Sequence, residues 1–251
     1  MNSIPLAAVI MAAGQGKRMK NPDKAKVMHT LAGIPLVEHV VRLTRAVGTG
    51  RVIVVVGHQR ESVIDYLATL DPAIEFAVRA EQLGTGHAVR MAEPLLETFD
   101  GDVMILSGDA PLTRPETMQA ALDKHRSSDA TVTVLTAVLP DPTGYGRVIR
   151  DGNGNIMRIV EHKDADEAER GVGEINSGIY IFNKKMLFAA LSRVTNDNAQ
   201  GEYYLPDVFE IFQHEGRVML PHVVERFDEI RGVNTIEQLA ELESIFEAER
   251  S

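Results

Sequence analysis

The chain contains no cysteine, which excludes a disulfide scaffold, a thiolate metal centre and a cysteine nucleophile. It has no apolar run long enough to span a bilayer. The short apolar stretch from Ile4 to Ala13 lacks a basic leader and runs into glycines, so it reads as a buried strand and not as an export signal. No low-complexity linker divides the 251 residues, and there is no internal repeat. Positive charge is scarce: 26 Lys and Arg stand against 36 Asp and Glu, a formal net charge of -10. A general nucleic-acid binder would present a broad basic surface, so that class is excluded. The expected setting is the cytoplasm, with neither a nucleic-acid nor a membrane partner.

What is present is an ordinary globular composition, 44% apolar and 25% charged, with length enough for a full core. Short Val- and Ile-rich runs predict strands at 7–11, 51–56, 74–78, 103–106 and 131–138. Amphipathic stretches at 35–47, 60–70 and 115–125 predict helices between them. This alternation implies an α/β fold, a Rossmann-like mixed, mainly parallel sheet with helices on both faces. Ligands of such sheets bind beyond the carboxyl ends of the strands, so the loops after the first, third and fourth strands are the places for chemistry.

The second half changes character. Asp151-Gly152-Asn153-Gly154 between 148–150 and 156–160 signals a hairpin. A strand is expected at 175–182 and helices near 184–191, 205–215 and 235–249, the last with Thr235 and Gln238 at capping-box spacing. These elements are expected to lie over the mouth of the first half and to supply a second substrate's pocket. The organisation expected is one domain, residues 1–232, followed by a linker-like C-terminal helix, residues 233–251.

The local positive charge that a polyanion needs sits in one place. Lys17, Arg18, Lys20, Lys24 and Lys26 follow Ala13, Gly14 and Gly16, with Asp23 the only acid among them. Glycines let backbone N–H groups approach phosphate oxygens, and cations neutralise them. The loop is neither a Walker A loop nor a complete dinucleotide fingerprint, and glycines after a strand are often a plain turn. Asp109 follows the strand at 103–106, where it could hold a metal or cap the next helix. The eight histidines show no metal-ligand spacing.

Taken together, Ala12-Ala13-Gly14-x-Gly16-x-Arg18-Met19 and Lys26 resemble the signature of the sugar nucleotidyltransferases. Further blocks narrow the resemblance: 81–88, Gly108-Asp109-x-Pro111-Leu112, 141–147, 161–165, Glu174-Ile175-Asn176-x-Gly178, 198–204 and Gly232-Val233-Asn234. They look like the uridylyltransferase domain of the bifunctional bacterial GlmU family and occur in that family's order.

The resemblance implies that UTP and N-acetylglucosamine 1-phosphate give UDP-N-acetylglucosamine and pyrophosphate. Arg18 and Lys26 would be catalytic, and Asp109 and Asn234 would hold Mg²⁺. Ala13, Gly14, Gly16, Arg79, Gln82, Gly84 and Thr85 would line the nucleoside triphosphate. Gly146, Glu161, Asn176 and Tyr204 would bind the sugar 1-phosphate. Other pyrimidine nucleotides, other hexose phosphates and a non-catalytic nucleotide-sugar sensor are the alternatives. The oligomeric state is open.

Several positions depart from the family. The 251 residues contain none of the family's hexapeptide repeats, so no acetyltransferase activity is expected of them. Arg79 stands where glutamine is common near the uracil; arginine can serve the carbonyls but cannot accept from the ring N–H. Ser107 replaces a tyrosine found in some relatives. Ala25 and Pro206 stand where proline and threonine are usual.

Overall fold

The run LAAVIMA alternates between two buried faces, as only a strand covered on both sides can. In the computed structural model, which describes residues 4–19, 21 and 24–249, this run is an inner strand of the main sheet. The strands in chain order are Leu6–Ala12 (β1), Thr30–Leu31 (β2), Ile34–Pro35 (β3), Arg51–Val56 (β4), Glu75–Val78 (β5), Asp102–Ser107 (β6), Val132–Val138 (β7), Arg147–Arg150 (β8), Ile156–Val160 (β9), Glu174–Asn183 (β10) and Met219–Val223 (β11). The helices are Leu36–Ala46 (α1), Arg60–Leu70 (α2), Thr85–Arg90 (α3), Pro115–Ser127 (α4), Glu167–Arg170 (α5), Lys184–Leu191 (α6), Val208–His214 (α7) and Ile236–Ala248 (α8).

The main sheet runs β11-β7-β10-β6-β1-β4-β5. β6, β1, β4 and β5 are parallel to one another. β10 enters antiparallel between β6 and β7, pairing Tyr180 with Ile105 on one side and Val134 on the other. Ala8 and Ile10 of β1 pack with Val40 of α1, Val63 of α2 and Met118 of α4. Ala7 and Val9 pack on the opposite face with Val89 of α3, Leu187 of α6 and Phe209 of α7. The mixed, mainly parallel sheet with helices on both faces is therefore as the alternation implied.

The second half differs from its expectation. It does not merely lie over the mouth: β10 and β11 join the sheet of the first half, one on each side of β7. Only the β8–β9 hairpin leaves it, branching from β10 at Ile175↔Arg147. The short strands β2 and β3, the six-residue α3, the four-residue α5 and the half-buried edge strand β11 were not among the expected elements. Residues 205–215 begin as a 3₁₀ turn with Pro206 inside it before α7 starts. α8 buries Leu242 in a small separate cluster with Met19, Leu31, Leu36 and Val233.

The capping box expected at its start is half-formed. Thr235 Oγ1 accepts from Gln238 N at 3.2 Å, but the Gln238 side chain reaches past Thr235 to Asn234 N, 2.8 Å away. A complete box forms instead between Asp166 and Glu169, at α5. Among the described residues no helix is long and apolar enough to cross a membrane.

Candidate active site

The parallel strands β1, β5 and β6 all end on one edge, and the loops leaving them converge there. A cleft of about 250 Å³ opens between these loops, walled by Ala13, Gly14, Lys26, Arg79, Gln82, Gly84, Thr85, Ser107 and Asp109 among others. Most of the nucleotide and metal set read from the sequence is thus brought to one place. Gly16, Arg18 and Asn234 are not among its walls; Arg18 is exposed on a 3₁₀ turn closed by Met19 N donating to Gly16 O at 2.8 Å. Lys20, Asp23 and the side chain of Lys17 lie outside the described residues.

Local geometry explains the glycines. Gly16 has φ +60°, and a Cβ there would stand 2.7 Å from Lys26 Cβ, so this glycine lets the lysine pack against the loop. Gly84 has φ +101°, and a Cβ would meet Tyr203 O at 2.5 Å. The backbone around it is zipped to the 203–205 segment: Tyr203 N donates to Leu83 O and Gly86 N to Tyr203 O, each at 2.8 Å. Thr85 Oγ1 accepts from Leu205 N at 3.0 Å, so its hydroxyl fastens this zipper as well as lining the cleft.

Lys26 Nζ forms an ion pair with Asp109 Oδ2 and donates to Asn234 Oδ1 at 3.2 Å. One ammonium therefore draws together a carboxylate oxygen and an amide oxygen from distant parts of the chain. The backbone holds them: Val233 N donates to Asp109 O at 2.9 Å, and Asn234 Nδ2 donates to Gly232 O at 3.4 Å, which turns Oδ1 towards the cation. Among the described residues no cluster of three or more His, Cys, Asp or Glu could hold a metal. Two converging hard oxygens nevertheless suit a small divalent cation that keeps water or phosphate in its other positions.

Also lining the cleft, Gln82 Nε2 donates to Ala13 O at 3.3 Å. Arg79 Nε donates to Glu81 O at 2.9 Å, and burial lowers the guanidinium pKa while the charge of Glu202 opposes that.

The sugar-phosphate set is divided. Gly146 and Asn176 meet through Asn176 N donating to Gly146 O at 2.9 Å, and Asn176 sits where the β10 register shifts before Tyr180. Glu161 and Tyr204 instead line a separate hollow of about 600 Å³, with Asp164 and Asp207. Tyr204 Oη donates to Asp164 Oδ2 at 3.2 Å and accepts from Gln200 Nε2 at 2.7 Å. Burial pushes the Tyr204 hydroxyl up to about 12 and raises the Glu161 carboxyl, whose neighbours Asp164 and Glu202 act in the same direction.

Sequence reasoning missed several residues here. Asp164 and Glu202 lay inside blocks already noted. Ser107, seen only as a missing aromatic, donates through Oγ to Asp109 Oδ1 at 2.6 Å. Asp207, pushed up to about 7 by burial and by Glu210, Glu161 and Asp164, was hidden in an expected helix.

Comparison with known proteins places this geometry. The pattern of the family described as Nucleotidyl transferase matches residues 7–227. The chain is 50% identical over 238 residues to "Bifunctional protein GlmU" of Exiguobacterium sp. strain AT1b, covering 95% of this chain and 52% of that protein. It is 48% identical to the Bacillus cereus strain G9842 protein of the same name (95% and 51% covered) and 47% identical to that of Lactococcus lactis (94% and 51%). The chain thus spans about half the length of the curated relatives it matches. A solved UDP-glucose pyrophosphorylase in complex with UDP-glucose shares the fold, with a TM-score of 0.79 at 16% identity, covering 98% of this chain and 100% of that one.

Proposed function

The chain belongs to the nucleotidyl transferase family, and from that premise we propose that it makes UDP-N-acetylglucosamine and pyrophosphate from UTP and N-acetylglucosamine 1-phosphate. The observation that carries the reading is the convergence of Asp109 Oδ2 and Asn234 Oδ1 on one cation position beside the glycine loop. The near-half identity to proteins named GlmU supports the choice of substrates.

Asp109 and Asn234 would hold Mg²⁺. When bound there, the ion offsets the charge of the triphosphate and steadies its oxygens. Gly14 and Gly16 allow the loop backbone to approach those oxygens, and Arg18 and Lys26 supply positive charge to them. Ala13, Arg79, Gln82, Gly84 and Thr85 shape the space for the nucleoside. Gly146, Glu161, Asn176 and Tyr204 serve the sugar phosphate.

A phosphate oxygen of the sugar 1-phosphate attacks the α-phosphorus in line. A new P–O bond forms, the bond to the β-phosphate oxygen breaks, and pyrophosphate leaves. The attacking phosphate is already anionic, so no general base is needed; positioning and charge neutralisation carry the rate.

The test is pyrophosphate release with UTP, Mg²⁺ and N-acetylglucosamine 1-phosphate. Release that depends on the sugar is expected, and CTP, dTTP and glucose 1-phosphate should serve less well. A chain that binds UTP yet releases nothing with any of these pairs would instead be a nucleotide-sugar sensor.

A further inference from the structure

A carboxylate and an amide can hold a small cation only if their oxygens are aimed at it before it arrives. Hydrogen bonds hold both: the Asn234 amide is turned by its Nδ2 donating to Gly232 O, and two further bonds fix the Asp109 carboxylate and the Asn234 backbone. Ser107 is half-buried at the end of β6, and its hydroxyl donates to Asp109 Oδ1 at 2.6 Å. That bond occupies one carboxylate oxygen and leaves Oδ2 for the ammonium of Lys26. Gly232 lies against the same oxygen: a Cβ there would stand 3.2 Å from Asp109 Oδ1, so the glycine leaves the carboxylate its place. On the second arm, Gln238 Oε1 accepts from Asn234 N at 2.8 Å, and Gln238 is itself held by Thr235 Oγ1 accepting from its N–H. The first turn of α8 thereby fixes the backbone from which the Asn234 amide projects.

We propose that Ser107 and Gln238 are positioning residues that aim Asp109 Oδ2 and Asn234 Oδ1 at a shared divalent cation. The inference rests on reading Asp109 and Asn234 as the cation-holding pair. Ser107 then supplies a hydroxyl to the metal carboxylate, in place of the aromatic side chain of some relatives. Gln238 makes the C-terminal helix a working part of the site, in addition to its packing through Leu242.

The test is titration of the full chain with Mn²⁺ alone, following the free ion by electron paramagnetic resonance, for wild type and four variants. Ser107→Ala and Gln238→Ala should each weaken Mn²⁺ binding about 10-fold or more, the usual effect of losing a partner of a metal ligand. Circular dichroism should stay that of wild type. Ser107→Thr and Gln238→Glu keep the donor and the acceptor and should restore binding, which a purely structural role would not require. Unmoved affinity in either alanine variant removes that residue from the role. A wild-type chain that binds no Mn²⁺ overturns the proposal altogether. Pyrophosphate release is measured in parallel. An active wild type with unmoved Mn²⁺ affinity sinks only the positioning role, whereas weakened Mn²⁺ binding with no release under any condition sinks only the proposed reaction.

Discussion

At the scale of single residues, the proposed site makes unequal demands on its charges. Arg18 is exposed on its turn, outside the cleft walls, so its contribution should appear when charge builds during transfer and less when UTP binds. Arg18→Ala should lower kcat on the order of 10²–10³-fold with little change in UTP affinity, read from steady-state kinetics beside a binding titration. Asp109→Ala should abolish metal-dependent pyrophosphate release while its far-ultraviolet circular dichroism stays native. A metal titration unchanged from wild type would place the ion elsewhere. Asp207 makes a different prediction. Burial, reinforced by Glu210, Glu161 and Asp164, raises its folded pKa to about 7 from the unfolded value of 3.8. The folded chain therefore holds a proton that the unfolded chain gives up, and stability falls as pH rises between those values. Asp207→Asn removes that dependence. It should raise the melting temperature by about 2–4 °C at pH 8, with the advantage shrinking as pH falls from 7 towards 4.

At the scale of elements, the site depends on segments locked to one another. The zipper between 83–86 and 203–205 holds the nucleotide loop, and Gly84 is its tightest point. Gly84→Ala combines a positive φ with a collision against Tyr203 O, and should cost about 1–3 kcal/mol in urea unfolding. The same change should weaken UTP binding, because the loop cannot keep its path. Equal urea midpoints for variant and wild type would show that the zipper can relax.

For the whole molecule, the decisive feature is β10. It pairs with β6 and β7 of the first half and with β8 of the second, so one continuous hydrogen-bonded sheet joins the two halves. The two halves should unfold together. Urea transitions followed by circular dichroism and by tyrosine fluorescence should coincide, and two separated transitions would contradict that coupling.

The elements with strong periodicity were legible without the structure: β1, β4, β6 and β7, and helices α1, α2 and α4, lie where hydrophobic alternation put them. The glycine loop was legible too, because turn chemistry is a local property of the chain, whereas the motif blocks were read from the family resemblance. Short or half-exposed pieces such as α3 and β11 left no such trace. The meeting of Lys26 with Asp109, 83 positions away, and with Asn234, 208 positions away, left no local trace either and was expected only through the family resemblance. Nor did the hydrogen bonds from Ser107 to Asp109 and from Asn234 to Gln238 leave one. Residue types and local periodicity determined which elements form and which side chains could do the chemistry. Only the tertiary structure decided which of them meet, because that follows from sheet order and helix packing, and neither is encoded in the spacing of neighbours along the chain.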